Sequence, residues 1–91
     1  MLVTIQLPTL FRARAGGLSA VEVDAATAGE AIERLLEQHP LLRPDLLADD
    51  GRPRRFLNIY LRDEDLRHLD GLRTPLRAGD VLVIVPAVAG G

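Results

Sequence analysis

Only one stretch of this chain keeps a helical hydrophobic period over several turns, residues 27–38, and a domain with one such helix can cover only one face of one sheet. Its start is marked by Thr27-Ala28-Gly29-Glu30, a capping box in which the Thr27 hydroxyl accepts from the Glu30 amide and the Glu30 carboxylate reaches back to the Thr27 amide. Ala28, Ala31, Ile32, Leu35 and Leu36 then fall on one face, with Glu30, Glu33, Arg34 and Glu37 on the other. Pro40 stops the helix at Gln38 or His39. Gly29 stands alone in the first turn, which suits close packing better than a phosphate cradle.

Strand patterns surround this helix. Val3, Ile5 and Leu7 alternate with Thr4 and Gln6, until Pro8 ends the ladder or leaves it on an edge. Residues 10–17, with Arg12, Arg14 and Gly16-Gly17, read as a loop leading into a second strand at 19–23, where Val21 and Val23 face inward and Glu22 outward. Residues 41–55 read as an irregular connection with one short helical turn at 45–48, and Leu41, Leu42, Leu46 and Leu47 cover an end of the core. Residues 56–61 form the next strand, with Leu57, Ile59 and Leu61 on one face and Phe56, Asn58 and Tyr60 on the other. Residues 62–65 turn in solvent, 66–72 is at most a short edge strand, and 76–80 is a tight turn. It feeds Val81-Leu82-Val83-Ile84-Val85, whose unbroken apolar, mostly β-branched character suits a central strand.

This order predicts an α+β domain: a mixed sheet of four to five strands wrapped around one main helix, with the first and last strands parallel and adjacent at the centre. That is the β-grasp, or ubiquitin-like, arrangement. A ferredoxin-like domain would need a second clear helix where 41–55 is rich in proline. The domain is expected over 1–85, with a flexible tail at 86–91.

Composition narrows the function. With 91 residues the chain holds one modest core, too small to enclose a substrate and a cofactor domain. The only aromatics are Phe11, Phe56 and Tyr60, so the core must be aliphatic. A net charge of -2 with both signs scattered gives no basic footprint for nucleic acid or membrane. There is no run of membrane-spanning length and no signal-like amino end, so a cytoplasmic protein, monomeric when free, is expected. Cysteine is absent, and all eleven basic residues are arginine, so thiol and side-chain amine chemistry are both excluded. His39 and His68 lack a second ligand at metal spacing, and no metal site is expected. Asp63, Glu64 and Asp65 read as a solvated turn, and Asn58 as a partner for local backbone groups.

What remains is the carboxyl end. Pro86-Ala87-Val88-Ala89-Gly90-Gly91 carries its carboxylate on a stem without side-chain bulk, and six extended residues reach at most roughly 20 Å. The reactive group is therefore expected at Gly91, with Gly90 before it, and residues 86–89 as the thread entering a partner's site.

Leu76-Arg77-Ala78-Gly79-Asp80 before an apolar strand, followed by this tail, resembles the ubiquitin-like sulfur carriers of the ThiS and MoaD group. Residues 5–12, the Gly16-Gly17 loop and residues 55–67 support the match, and within the last of these Asn58-Ile59-Tyr60 and Asp63-Glu64-Asp65 favour the CysO-like branch of thiocarboxylate-dependent cysteine biosynthesis. The resemblance implies a carrier with no turnover and no bound cofactor. An E1-like enzyme of the MoeB/ThiF type uses ATP and Mg to adenylate Gly91, and sulfur then converts it to a thiocarboxylate. The implied clients are a pyridoxal-phosphate cysteine synthase or a thiosugar synthase, with a metal-dependent peptidase regenerating Gly91; molybdopterin and thiazole synthesis are related uses.

For partner docking, Leu82 and Ile84 with Phe56 and Tyr60 are assigned to an exposed apolar patch leading to the tail, although a shift of one residue in parity would swap the inward and outward sets. The competing reading folds Leu10 and Phe11, or 41–47, over it. Arg12, Arg14, Arg54 and Arg55 are candidates for acidic partner surfaces. Two other functions fit the same residues: a modifier conjugated through Gly91 to lysines of other proteins, and a binding module whose tail is incidental.

Overall fold

The computed structural model describes residues 1–86. Strand β1 (Leu2–Gln6) and β2 (Ala20–Asp24) form an antiparallel pair, and helix α2 (Ala28–Gln38) follows a short helix α1 (Thr9–Arg12) in chain order. Beyond it come α3 (Arg43–Leu46), β3 (Leu57–Leu61), β4 (Glu64–Asp65) and β5 (Val81–Pro86). The sheet order is β2-β1-β5-β3-β4, with β1 and β5 parallel at the centre and the other neighbours antiparallel. This is the expected β-grasp arrangement.

Helix α2 begins at the capping box. The Glu30 amide donates to the Thr27 hydroxyl over 3.2 Å, but the Glu30 carboxylate accepts from the Ala26 amide at 2.8 Å rather than from Thr27. A bridge between Thr27 and Pro75, flanked by Ala28 donating to Thr74 and Leu76 donating to Ala26, ties the helix start to the segment before β5. Ala28, Ala31, Ile32, Leu35 and Leu36 are all buried against the sheet. Burying a Leu or Ile side chain stabilises the fold by about 1.5–3 kcal/mol, so three such residues on one stripe suffice to hold the helix there. A Cβ on Gly29 would lie 3.1 Å from the Leu72 carbonyl oxygen, so this glycine permits close packing, as expected.

Three local readings change. Residues 10–17 are not a plain loop: α1 continues into a 3-10 turn, Ala13–Ala15, because Phe11 and Ala15, four residues apart, both plug the core. The helical turn at 45–48 lies earlier, with a 3-10 turn at Pro40–Leu42 leading into α3, and Leu41 points to solvent while Leu42 and Leu46 are buried. The edge strand is β4, not 66–72; that segment holds two 3-10 turns, Leu66–His68 and Gly71–Arg73. The β3–β4 connection is two residues long, with Arg62 and Asp63 both at positive φ (51° and 67°), the tight hairpin geometry usually signalled by Asn-Gly.

Phe11 is therefore a core residue while its neighbour Leu10 is exposed. Phe11→Ala is expected to lower the unfolding free energy by about 3–5 kcal/mol, and Leu10→Ala by less than about 0.5 kcal/mol, in urea titrations.

Candidate functional site

Everything that positions the tail converges on β5. Its inward residues, Leu82 and Ile84, are 0% and 2% exposed, and they pair across the ladders with Ile5 of β1 and with Leu61 and Ile59 of β3. These two residues therefore belong to the core, which corrects their assignment to an exposed patch. Parity is the physical reason: Leu57, Ile59 and Leu61 face the helix, and register sets Ile84 opposite Ile59 and Leu82 opposite Leu61 on that same face.

The outward face of β5 is Val81, Val83 and Val85. Val83 lies between Gln6 and Tyr60, Val85 lies opposite Asn58, and Val85 is 40% exposed. Tyr60 is half-buried on this face, and Phe56, 42% exposed, precedes β3 at the end where β5 leaves the sheet. The apolar surface leading to the tail is therefore Val83 and Val85 with Tyr60 and Phe56. Two of its members were legible in the sequence. The valines were missed because a strand apolar on both faces does not declare which way it points.

β5 runs one residue past the expected boundary, since Pro86 pairs with Leu57. Residues 87–91 lie outside the described residues, and with them Ala87, Val88, Ala89, Gly90 and Gly91 of the expected site.

The start of β5 is anchored by Asp80. Its carboxylate accepts a two-pronged bond from the Arg62 guanidinium (3.2 and 3.0 Å) and one from the Arg77 amide (2.7 Å). The Asp80 carbonyl accepts from the Thr4 amide, and the Gly79 amide donates to Leu2, so one turn clamps β1, β5 and the β3–β4 hairpin together. Gly79 has φ +85°, the left-handed conformation this turn requires. Asn58 accepts from the Arg67 side chain rather than serving local backbone groups as expected, and Arg67 also pairs with Asp65 at 3.2 Å.

Of the arginines proposed for acidic surfaces, Arg12 donates to the Leu7 carbonyl at 3.1 Å and Arg14 pairs with Asp45 at 3.0 Å. Arg54 donates to the Pro44 carbonyl, and Arg55 is exposed. Among the described residues no three His, Asp or Glu side chains gather to hold a metal ion, and no helix is long and apolar enough to cross a membrane.

A helix-covered mixed sheet with its first and last strands parallel at the centre defines a ubiquitin-like β-grasp protein. The profile of the ThiS family matches residues 5–91, and the chain belongs to that family. It is 39% identical to the sulfur carrier protein CysO of Mycobacterium tuberculosis over 93 aligned positions, covering 100% of both chains. Its structure superimposes with a TM-score of 0.88 on the crystal structure of the Amycolatopsis orientalis BexX/CysO complex, at 39% identity over 98% of this chain and 99% of that one. It is also 33% identical to small archaeal modifier protein 1 of Haloferax volcanii over 82 residues, 87% of this chain and 90% of the relative.

The Asp80 carboxyl is held below the ordinary carboxylate range, chiefly by the Arg62 hydrogen bond, against partial burial and with help from the Arg77 amide. A depressed folded pKa contributes stability that is full above the unfolded Asp value of about 3.9 and is lost as pH falls through the folded value. Asp80→Asn is expected to cost on the order of 1 kcal/mol at neutral pH, discounted for the exposed Arg62. Urea titrations at neutral pH and near about pH 2.5 check this, the two proteins converging in acid.

Proposed function

We propose that this protein is a sulfur carrier acting through the carboxylate of Gly91. The observation carrying this reading is full-length kinship with CysO combined with the Gly90-Gly91 ending beyond β5. A chain without cysteine cannot carry sulfur on a side chain, which leaves an acyl carbon as the natural site.

The chemistry follows from the weakness of a carboxylate as an electrophile. An E1-like MoeB/ThiF-type enzyme, using its own ATP and Mg, joins a Gly91 oxygen to the α-phosphorus and releases pyrophosphate. The acyl adenylate then has a good leaving group. Sulfide attacks the carbonyl carbon and expels AMP, leaving a thiocarboxylate; a persulfide donor leaves an acyl disulfide, which a second thiol cleaves to the same product. The thiocarboxylate is ionised at neutral pH and its sulfur is weakly solvated, so it is a good nucleophile. The absence of bulk at Gly90 and Gly91 leaves the carbonyl open from both faces, and residues 86–89 thread the partner's channel. The body supplies affinity through the outward surface of Val83, Val85, Tyr60 and Phe56, continuous with the strand that becomes the tail.

The client most in keeping with CysO kinship is a pyridoxal-phosphate cysteine synthase; its product would be a cysteine joined to Gly91, and a metal-dependent peptidase would hydrolyse that bond to release cysteine and restore Gly91. A thiosugar synthase is the second client class. ATP, Mg and pyridoxal phosphate belong to these partners, and the carrier turns nothing over itself. A second reading, conjugation of Gly91 to lysines of other proteins, is favoured by the kinship with the archaeal modifier protein.

Incubation with the activating enzyme, ATP and sulfide is expected to raise the protein's mass by one oxygen-to-sulfur exchange, located at Gly91 by fragmentation. Val83→Asp is expected to lower the unfolding free energy by about 1 kcal/mol, since aspartate is disfavoured at a half-buried position of a central strand, and to slow this conversion by the folded protein at least about tenfold, the loss of one apolar anchor. No exchange with a competent enzyme overturns the carrier reading, and isopeptide adducts that survive strong reductant establish the modifier instead.

A further inference from the structure

Beside the root of the tail, on the other side of the β3 end from the valine surface, lies a second feature. A shallow cavity of about 590 Å³ has Leu57, Leu66 and Leu72 in its lining and Arg52, Arg54, Arg55 and Arg67 around it. Leu57, one of its walls, is the ladder partner of Pro86, so the cavity opens next to the point where β5 leaves the sheet. The arginines come from two segments, 52–55 and the turn after β4, that only the fold brings together.

The charge is unbalanced locally. Asp65 is the one carboxylate in the lining, and it is engaged by Arg67. Asp50 accepts from the backbone amide of Arg52 and caps that turn. Neither Arg52 nor Arg55 is in an ion pair among the described residues, and both are exposed. A chain of net charge -2 thus concentrates four cations around one apolar depression. Arg54 is held by the Pro44 carbonyl, which fixes the loop against α3.

We propose that this cavity is a docking site for an acidic protein segment carrying one apolar anchor residue, with the carboxylates on Arg52 and Arg55 and the anchor against Leu66 and Leu72. Charge complementarity selects the occupant. The lining has no aromatic platform on which nucleic-acid bases would stack, and its floor is apolar where a small inorganic anion would need polar donors. The functional reading above is needed only to explain why a partner comes to this end of the sheet; an acid-rimmed mouth on a tail-binding channel would then be held in register by the site.

The test uses the whole chain, isotopically labelled, with a pentapeptide of glutamates around a central leucine. Amide shifts are expected at residues 52–57 and 65–72. The affinity is expected to fall at least about tenfold with the Arg52→Glu/Arg55→Glu double variant and at high salt, since exposed charges are screened. A glutamine counterpart, and a version with glycine in place of the leucine, are each expected to bind more weakly. Equal binding of the glutamine peptide, shifts confined elsewhere, the same shifts from inorganic phosphate alone, or no effect of charge reversal would each overturn the proposal. Direct binding is read without activation of Gly91, so sulfur exchange that proceeds normally in a chain that ignores the peptide removes this site and leaves the carrier reading standing.

Discussion

The parallel pairing of β1 with β5 is the contact on which the rest of the structure depends. It joins the two ends of the chain at the middle of the sheet, with Ile5 beside Leu82 and Gln6 beside Val83. Parallel neighbours cannot be joined by a tight turn, so the intervening segments must leave the sheet and return. Helix α2 makes the outward crossing over one face, and the hairpin of β3 and β4 returns alongside. The price of this topology is the entropy of closing a long loop, offset by the burial of Leu82 and Ile84. The benefit is mechanical: β5 is held by β1 along Val81–Val83 and by β3 along Leu82–Pro86, which makes a firm mount for whatever follows Pro86.

Local signals carried most of the architecture into the sequence. The capping box, the apolar stripe of α2 and the alternation in β1, β2 and β3 are each set by residues within a few positions of one another, and each element formed where its pattern lay. Elements defined by distant contacts were not legible. Helix α1 is four residues long and exists because Phe11 reaches the core. Strand β4 exists because Arg62 and Asp63 accept left-handed backbone without a glycine, with Arg62 held by Asp80. The orientation of β5 depends on its neighbours' register, which is why Leu82 and Ile84 exchanged places with Val83 and Val85.

The candidate site divides in the same way. Gly90-Gly91 and the absence of cysteine are visible in the one-dimensional chain and define the chemistry proposed. The surfaces that would choose a partner are three-dimensional. Tyr60 and Val83 meet only through the β3–β5 ladder, and Arg67 joins Arg52, Arg54 and Arg55 only because the turn after β4 folds back beside them. The fold thus adds one arginine from the turn after β4 to three that already lie close in sequence. This end of the sheet offers an apolar surface on one side of the tail root and a basic cavity on the other, so two independent contacts can orient one thread.

The lysine-free composition also bears on this chemistry. An activated acyl group on a tether is exposed to every amine of its own body at high effective concentration. Here no side-chain amine is present, and the Met1 amino group is paired with Asp24. The most direct measurement of the central claim is ATP–pyrophosphate exchange by the activating enzyme, with the chain as it stands and with the Gly91 carboxylate converted to a primary amide. The account predicts exchange with the first, none with the second, and identical unfolding curves for both. Exchange that persists with the amide would show that the carboxylate of Gly91 is not the group activated, and would contradict the account.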